Sequence, residues 1–415
     1  MSASTGVPRS RVPAGRQTAP RDPALTGLRT VAALSVVGTH AAFATGYLNH
    51  GYLGAMYARM DMGVAVFFVL SGFLLFRPWV RAAADGKPAP SVLRYSRHRM
   101  RRIVPAYAVT VVAAFEIYTV FTPGPNPAQS LYGLLRYLTF TQIYTDNYLG
   151  TLLHPGLSQM WSMAVEVSFY IALPAIASLL LRGPWRPGRV LAGLAALAAV
   201  TPAWLMLADL TDVLPNSAGM WLPGHLAWFV GGMALAVLQT IGARCPAIVA
   251  VPVAGILYLA VSTSIGGAIV GPDPWWVPTV KAVLYAVIAT LAVAPPALAG
   301  RDSYSRLLAS KPLVWLGEIS YEIFLVHVAV MALTMHLVLG WPIFTGSMPG
   351  LMTVTLALTI PAAWLLHRTT RPQTSARSAG SSAESARPRC EAASFSSGLS
   401  SAAVRLEPAG KNTGS

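Results

Sequence analysis

The stretch "WSMAVEVSFYIALPAIASLLL", residues 161–181, carries one charged side chain, Glu166. At about 1.5 Å of rise per residue a helix of this length covers roughly 30 Å, the hydrocarbon thickness of a bilayer. The run therefore reads as a membrane span. A carboxylate inside such a span is expensive and usually functional, so the same residues also raise the question of what Glu166 does.

The rest of the chain repeats the pattern. Its 415 residues are 54% hydrophobic and 11% charged, with a mean hydropathy of +0.54. That is too much apolar surface for one water-soluble core. Apolar runs fall at about 28–48, 62–80, 103–121, 161–181, 190–208, 221–239, 247–264, 276–298, 315–339 and 350–367. The expected fold class is an all-α membrane protein, a polytopic bundle of about ten transmembrane helices.

The net charge of +15 does not point to nucleic acid, because the basic residues are spread loop by loop and form no single face. With a cytoplasmic N-terminus, all 30 Lys and Arg except Arg59, Arg136 and Lys281 fall on the inner side. The positive-inside rule expects that division, and it places both termini in the cytoplasm. The segment "LYGLLRYLTFTQIYTDNYL" (131–149) would break the pattern if it crossed. It carries Arg136, Gln142, Asp146 and Asn147, and its leucines suit an amphipathic collar on the outer interface.

Residues 1–27 and 369–415 are rich in Ser, Ala, Arg, Pro and Gly without periodicity, and read as disordered cytoplasmic tails flanking a membrane domain at 28–368. "AFA" (42–44) has the form of a signal-peptidase site, but the leader before the apolar run is long for a signal peptide, so no cleavage is expected. The two cysteines, Cys245 and Cys390, make neither a disulfide framework nor a metal site.

Chemistry is then sought among ionisable residues within the spans. In "LTGLRTVAALSVVGTHAAF" (25–43), Arg29 and His40 are eleven residues apart, about three turns, so both share one face roughly 17 Å apart along the axis. Their structural alternatives are a snorkelling anchor and a buried helix-to-helix hydrogen bonder. If the fourth span starts at the outer interface with Trp161, Glu166 lies about 8 Å below it and His40 about 12 Å below it. The spacing thus predicts a Glu166–His40 pair, in which the carboxylate orients an imidazole base; a protonated Glu166 gluing helices is the alternative. In "RYSRHRMRRIVPAY" (94–107), Arg99 and Arg102 share a helix face at the inner end, a spacing that suits phosphates as well as it suits topology.

Five motifs in order resemble the acyltransferase-3 family of membrane acyltransferases, over residues 22 to 368. They are Arg29-x10-His40, "FFVLSGFLLFRP" (67–78), Arg99-x-x-Arg102 before Ile-Val-Pro, "WSMAVEVSFY" (161–170) and "GEISYEIFLVH" (317–327). The chain departs from the family pattern at Ala65, where many relatives have Asp, at Val167, where many have a second Glu, and at Phe324, which replaces a common Tyr. A frequent C-terminal periplasmic domain of the family is not matched by the polar segment 369–415.

The resemblance implies a ten-helix catalytic core that uses acyl-CoA. The expected reaction is O-acyl transfer, O-acetylation being one form, to a hydroxyl of a carbohydrate, glycolipid or macrolide-like acceptor, as in modification of the bacterial cell envelope. Arg29, Arg99 and Arg102 would hold the donor's phosphates. His40, oriented by Glu166, would take the acceptor proton, and thiolate leaves readily enough that no metal or bound cofactor is required. Ser71, Gly72 and Ser320 are candidates for close packing or oxyanion contact, and His327 ranks behind His40 as base. The competing class is a transporter using the same Arg, His and Glu as a relay. It lacks the paired broken helices in two halves that such proteins show. A non-catalytic sensor or scaffold is the third class.

Overall fold

The computed structural model describes residues 22–145, 153–211, 213–268, 273–298, 300 and 302–371, and every regular element among them is helical. In chain order these are α1 Pro23–Ala44, α2 Gly51–Arg59, α3 Gly63–Ala84, α4 Val92–Val120, α5 Leu131–Leu138, α6 Trp161–Leu180, α7 Pro187–Ala198, α8 Val200–Leu210, α9 Leu222–Thr240, α10 Ala247–Val261, α11 Trp276–Ala297, α12 Ser303–Leu308, α13 Lys311–Glu318, α14 Ser320–Leu333 and α15 Met348–Thr370. Counting near-continuous pieces together, eight helices among the described residues are long and apolar enough to cross a membrane. The other two expected spans fall on helices outside those eight. The first is α10, only 15 residues long; the second is α1, which carries Arg29 and His40 and packs against α3, α11, α13, α14 and α15. A helix surrounded by protein can keep polar groups that a lipid-facing helix cannot.

Two apolar cores hold the bundle. The larger runs through α3, α6, α9 and α11, where Phe68 and Phe169 stack on opposite sides of Phe229 at centroid distances of 4.3 and 4.0 Å. There α3 and α9 meet backbone to backbone. A Cβ at Gly72 would stand 2.1 Å from the Phe229 carbonyl oxygen, and one at Gly232 would stand 1.9 Å from that of Val69. Only a residue without a side chain permits that approach. Gly72 is therefore a packing residue. The smaller core joins Val37 and Ala41 of α1 to Ile323 and Met331 of α14 and Leu351 of α15.

Three boundaries differ from the sequence reading or sharpen it. First, α1 starts at Pro23, not at 28, because Asp22 accepts a hydrogen bond from the Ala24 amide at 3.0 Å and proline suits the first helical position. Residues 23–27 thus belong to the bundle, and α15 likewise runs on to Thr370. Residues 1–21 and 372–415 of the expected tails lie outside the described residues, as do Asp146 and Asn147.

Second, the collar segment forms only the eight-residue α5, with Leu131, Tyr132 and Leu135 exposed and Tyr137 buried. Arg136 then donates to the carbonyls of Thr141 at 3.1 Å and Tyr144 at 3.0 Å, closing a turn that buries Gln142 and Ile143. Third, α6 does not start at a bundle surface. The 3₁₀ turns of Pro155–Met160 precede it, with Gly156, Leu157, Gln159 and Met160 all buried. Gln159 donates to the Leu325 carbonyl of α14 at 2.7 Å, so Trp161 begins its helix already inside the protein.

Candidate active site

A cavity opens between α1, α3, α4, α6, α13 and α14. Its polar end gathers Arg29 from α1, Arg99 and Arg102 from α4, and Arg371 just past α15, with Glu318 beside them. One turn apart on α4, Arg99 and Arg102 point into the cavity, while Arg94, Arg97 and Arg101 line a separate shallow groove with His98. Arg29 is within electrostatic reach of both Arg99 and Arg102. Guanidinium groups crowded this way repel one another and favour an anion that accepts from several of them at once, as phosphate does.

Glu166 sits in this cavity, not beside His40. Its Oε1 accepts from Ser71 Oγ of α3 at 2.6 Å and from the Tyr170 hydroxyl. The expected Glu166–His40 pair is not formed, and the buried start of α6 is the reason. Counting from Met160, Glu166 lies six residues, about 9 Å, further along an axis that already begins at the level of Leu325. That displacement carries the carboxylate past the histidine and down to the arginines. Tyr170 lies one turn from Glu166 on the same face; the sequence reading did not single it out, although the Glu-x-x-x-Tyr spacing in "EVSFY" is a signal that finds it.

His40 has a different partner. Its Nδ1 donates to the Val36 carbonyl at 2.8 Å, and the Nδ1 of His327 donates to the Phe324 carbonyl at 2.8 Å. A carbonyl can only accept, so both Nδ1 atoms carry the hydrogen and both Nε2 atoms are bare; the tautomers follow from these partners. His327 Nε2 then faces His40 Nδ1 at 3.4 Å, with ring centroids 5.0 Å apart in an edge arrangement. His327 is fully buried and His40 half-buried. The two form a dyad across α1 and α14, and the sequence reading had ranked them separately.

Of the other candidates, Ser71 is committed to Glu166. Ser320 lines the cavity but donates to the Gly317 carbonyl at 2.8 Å, which ties the corner between α13 and α14. Arg371 was not anticipated. It donates to the Glu318 carbonyl at 3.4 Å, and its Nε lies 3.7 Å from Oε1 of Glu322, which is also 3.0 Å from His367 Nδ1. No spacing rule links a residue at the end of the last helix to Arg29. A further ionic group unites Asp61 with Lys281 at 3.4 Å and with the Tyr285 hydroxyl, on the stretch between α2 and α3. Among the described residues, no group of three or more His, Cys, Asp or Glu side chains has the arrangement of a metal site.

Comparison with known proteins agrees with this geometry. A family model described as an acyltransferase domain matches residues 22–368. The acyltransferase MdmB of Streptomyces mycarofaciens is 28% identical over 370 residues, covering 84% of this chain and 90% of that protein. The peptidoglycan O-acetyltransferase OatA of Listeria monocytogenes is 25% identical over 332 residues, and the O-acetyltransferase OatA of Staphylococcus aureus is 22% identical over 317. These last two alignments cover 75% and 74% of this chain, which spans half the length of either OatA protein. No solved structure matches. The matched domain takes in the whole described bundle with its arginine-lined cavity and histidine dyad, and the chain belongs to the acyltransferase-3 family, a multi-pass membrane acyltransferase that transfers groups other than aminoacyl groups.

Proposed function

We propose that the protein moves an acyl group from acyl-CoA to a hydroxyl of a carbohydrate, glycolipid or macrolide-like acceptor, with His40 as general base. One observation carries this reading: the arginine-lined cavity ends against Phe324, one helical turn from His327, and His327 touches His40. Donor phosphates would be held by Arg29, Arg99, Arg102 and Arg371. The pantetheine arm would then run along α3 and α6 toward the dyad.

The bare Nε2 of His40 takes the acceptor's proton as its oxygen attacks the thioester carbonyl. The new C–O bond forms, the C–S bond breaks, and the CoA thiolate leaves and recovers the proton from the imidazolium. His327 presents a second bare Nε2 to the Nδ1–H of His40, which favours the positive charge that appears there in the transition state. Glu166 acts on the donor side. Its charge offsets the nearby guanidinium groups while it fixes the hydroxyls of Ser71 and Tyr170.

The division of basic residues supports a cytoplasmic donor mouth and cytoplasmic termini. Relatives named for O-acetylation of peptidoglycan support an acceptor of carbohydrate character in the cell envelope. The deciding experiment incubates the purified protein with acyl-labelled CoA esters and a panel of glycan, glycolipid and macrolide acceptors. Label should reach an acceptor hydroxyl in a CoA-dependent, His40-dependent manner; transfer that survives His40→Ala at the wild-type rate overturns the mechanism.

A further inference from the structure

The far end of the cavity is lined by an aromatic pair. On α3 the lining residues run from Leu75 to Val64, about 16 Å of helix, and end at Phe67 and Val64 on the side toward His40. There the Phe67 ring meets the Phe324 ring edge-on, with centroids 6.0 Å apart and planes at 67°. Phe324 is buried, and its ring centroid lies 5.9 Å from that of His327. Phe67, like Val326, packs against both apolar cores. The two rings thus stand where the cavity comes nearest the histidine dyad.

We infer that Phe67 and Phe324 set the length of the acyl group, admitting a short chain such as acetyl to His40 and rejecting longer ones. The inference rests on the acyl-CoA reading above. The donor's thioester carbonyl must reach the dyad to react, so the acyl carbons beyond it occupy the space that the rings leave. Phenylalanine side chains in a close-packed core yield little, and a longer chain meets ring carbon where a shorter one meets space. Met163, 2% exposed, lines the cavity from the α6 side. Phe324 has no hydroxyl to hydrogen-bond, so its contribution here is shape.

The test measures binding of free CoA, acetyl-CoA and hexanoyl-CoA to the full chain in nanodiscs by titration calorimetry, for wild type, Phe67→Ala, Phe324→Ala and the volume-sparing Phe67→Leu and Phe324→Leu. Wild type should bind hexanoyl-CoA about tenfold or more weakly relative to acetyl-CoA, on the scale that misfit methylenes cost in a shaped pocket. At least one of the four variants should remove most of that handicap while binding free CoA as wild type does, which shows that it is folded. Equal affinity for the two esters in wild type, or an unchanged ratio in every variant that binds free CoA, overturns the gauge and leaves the proposed function standing. A wild-type protein that binds none of the three overturns both.

Discussion

His40 and His327 face each other across α1 and α14, Nδ1 to Nε2 at 3.4 Å, each holding its tautomer through a backbone carbonyl one turn back on its own helix. This pairing makes a specific kinetic prediction. His40→Ala should lower turnover by about 10² to 10⁴, the usual worth of general-base assistance. His327→Ala should lower turnover by less and move the acidic limb of the pH–rate profile, because it removes a neighbour of the base and not the base itself. The double variant should be little worse than His40→Ala, since residues acting as a unit are not additive. Fully additive losses in single-turnover assays would separate the two histidines.

Glu166→Gln should leave that acidic limb where it is, because Glu166 bonds to Ser71 and Tyr170 and not to the dyad. The change should appear in KM for the donor more than in kcat. A shifted acidic limb with unchanged KM would return Glu166 to the base.

Arg371→Ala, Arg99→Ala and Arg102→Ala should each weaken donor binding by about 1.5 kcal/mol or more if a charge-assisted phosphate contact is lost, with Arg371 at the low end because it is partly exposed. Arg94→Ala, on the other face of α4, should change donor affinity by less than a factor of about two at moderate salt. Titration of the variants with free CoA checks the contrast. Equal losses at Arg94 and Arg99 would reduce the effect to general surface charge.

Orientation is checked by placing single cysteines at Gly86, Tyr132 and Ser303, all exposed, after replacing Cys245 and Cys390 with Ser. In intact cells an impermeant maleimide should label the cysteine at position 132 and spare the other two. The reverse pattern would invert the bundle.

His154 lies before the α6 entry turn, fully buried, with Nε2 2.8 Å from Gln129 Oε1 and Nδ1 accepting from the Gly156 amide. Burial pushes its imidazole from 6.5 down to about 4. A folded value below the unfolded one means that the unfolded chain takes up a proton first. Thermal stability should therefore fall as pH drops from about 6.5 toward 4 and level off below. In His154→Gln that slope should flatten; an unchanged slope would assign it to other groups.

The sequence by itself determined the helical membrane class, because lengths and apolar runs answer to bilayer thickness alone. It also determined relations within one helix, since rise and turn place Arg29 three turns from His40 and Arg99 one turn from Arg102 wherever the helix sits. The polar content of 131–149 set it apart from the spans, and among its described residues only the eight-residue α5 is helical.

Tertiary structure decided how one helix registers against another. The entry turns 155–160 are buried because Gln159 satisfies carbonyls on α14, and this sinks α6 far enough to move Glu166 from the histidine to the arginines. The register of α1 against α14 brings His327 to His40, and the end of α15 brings Arg371 to the cavity. The physical reason is that helical periodicity fixes angles and rises along one axis, whereas the depth at which each axis starts depends on which buried polar groups its neighbours can satisfy.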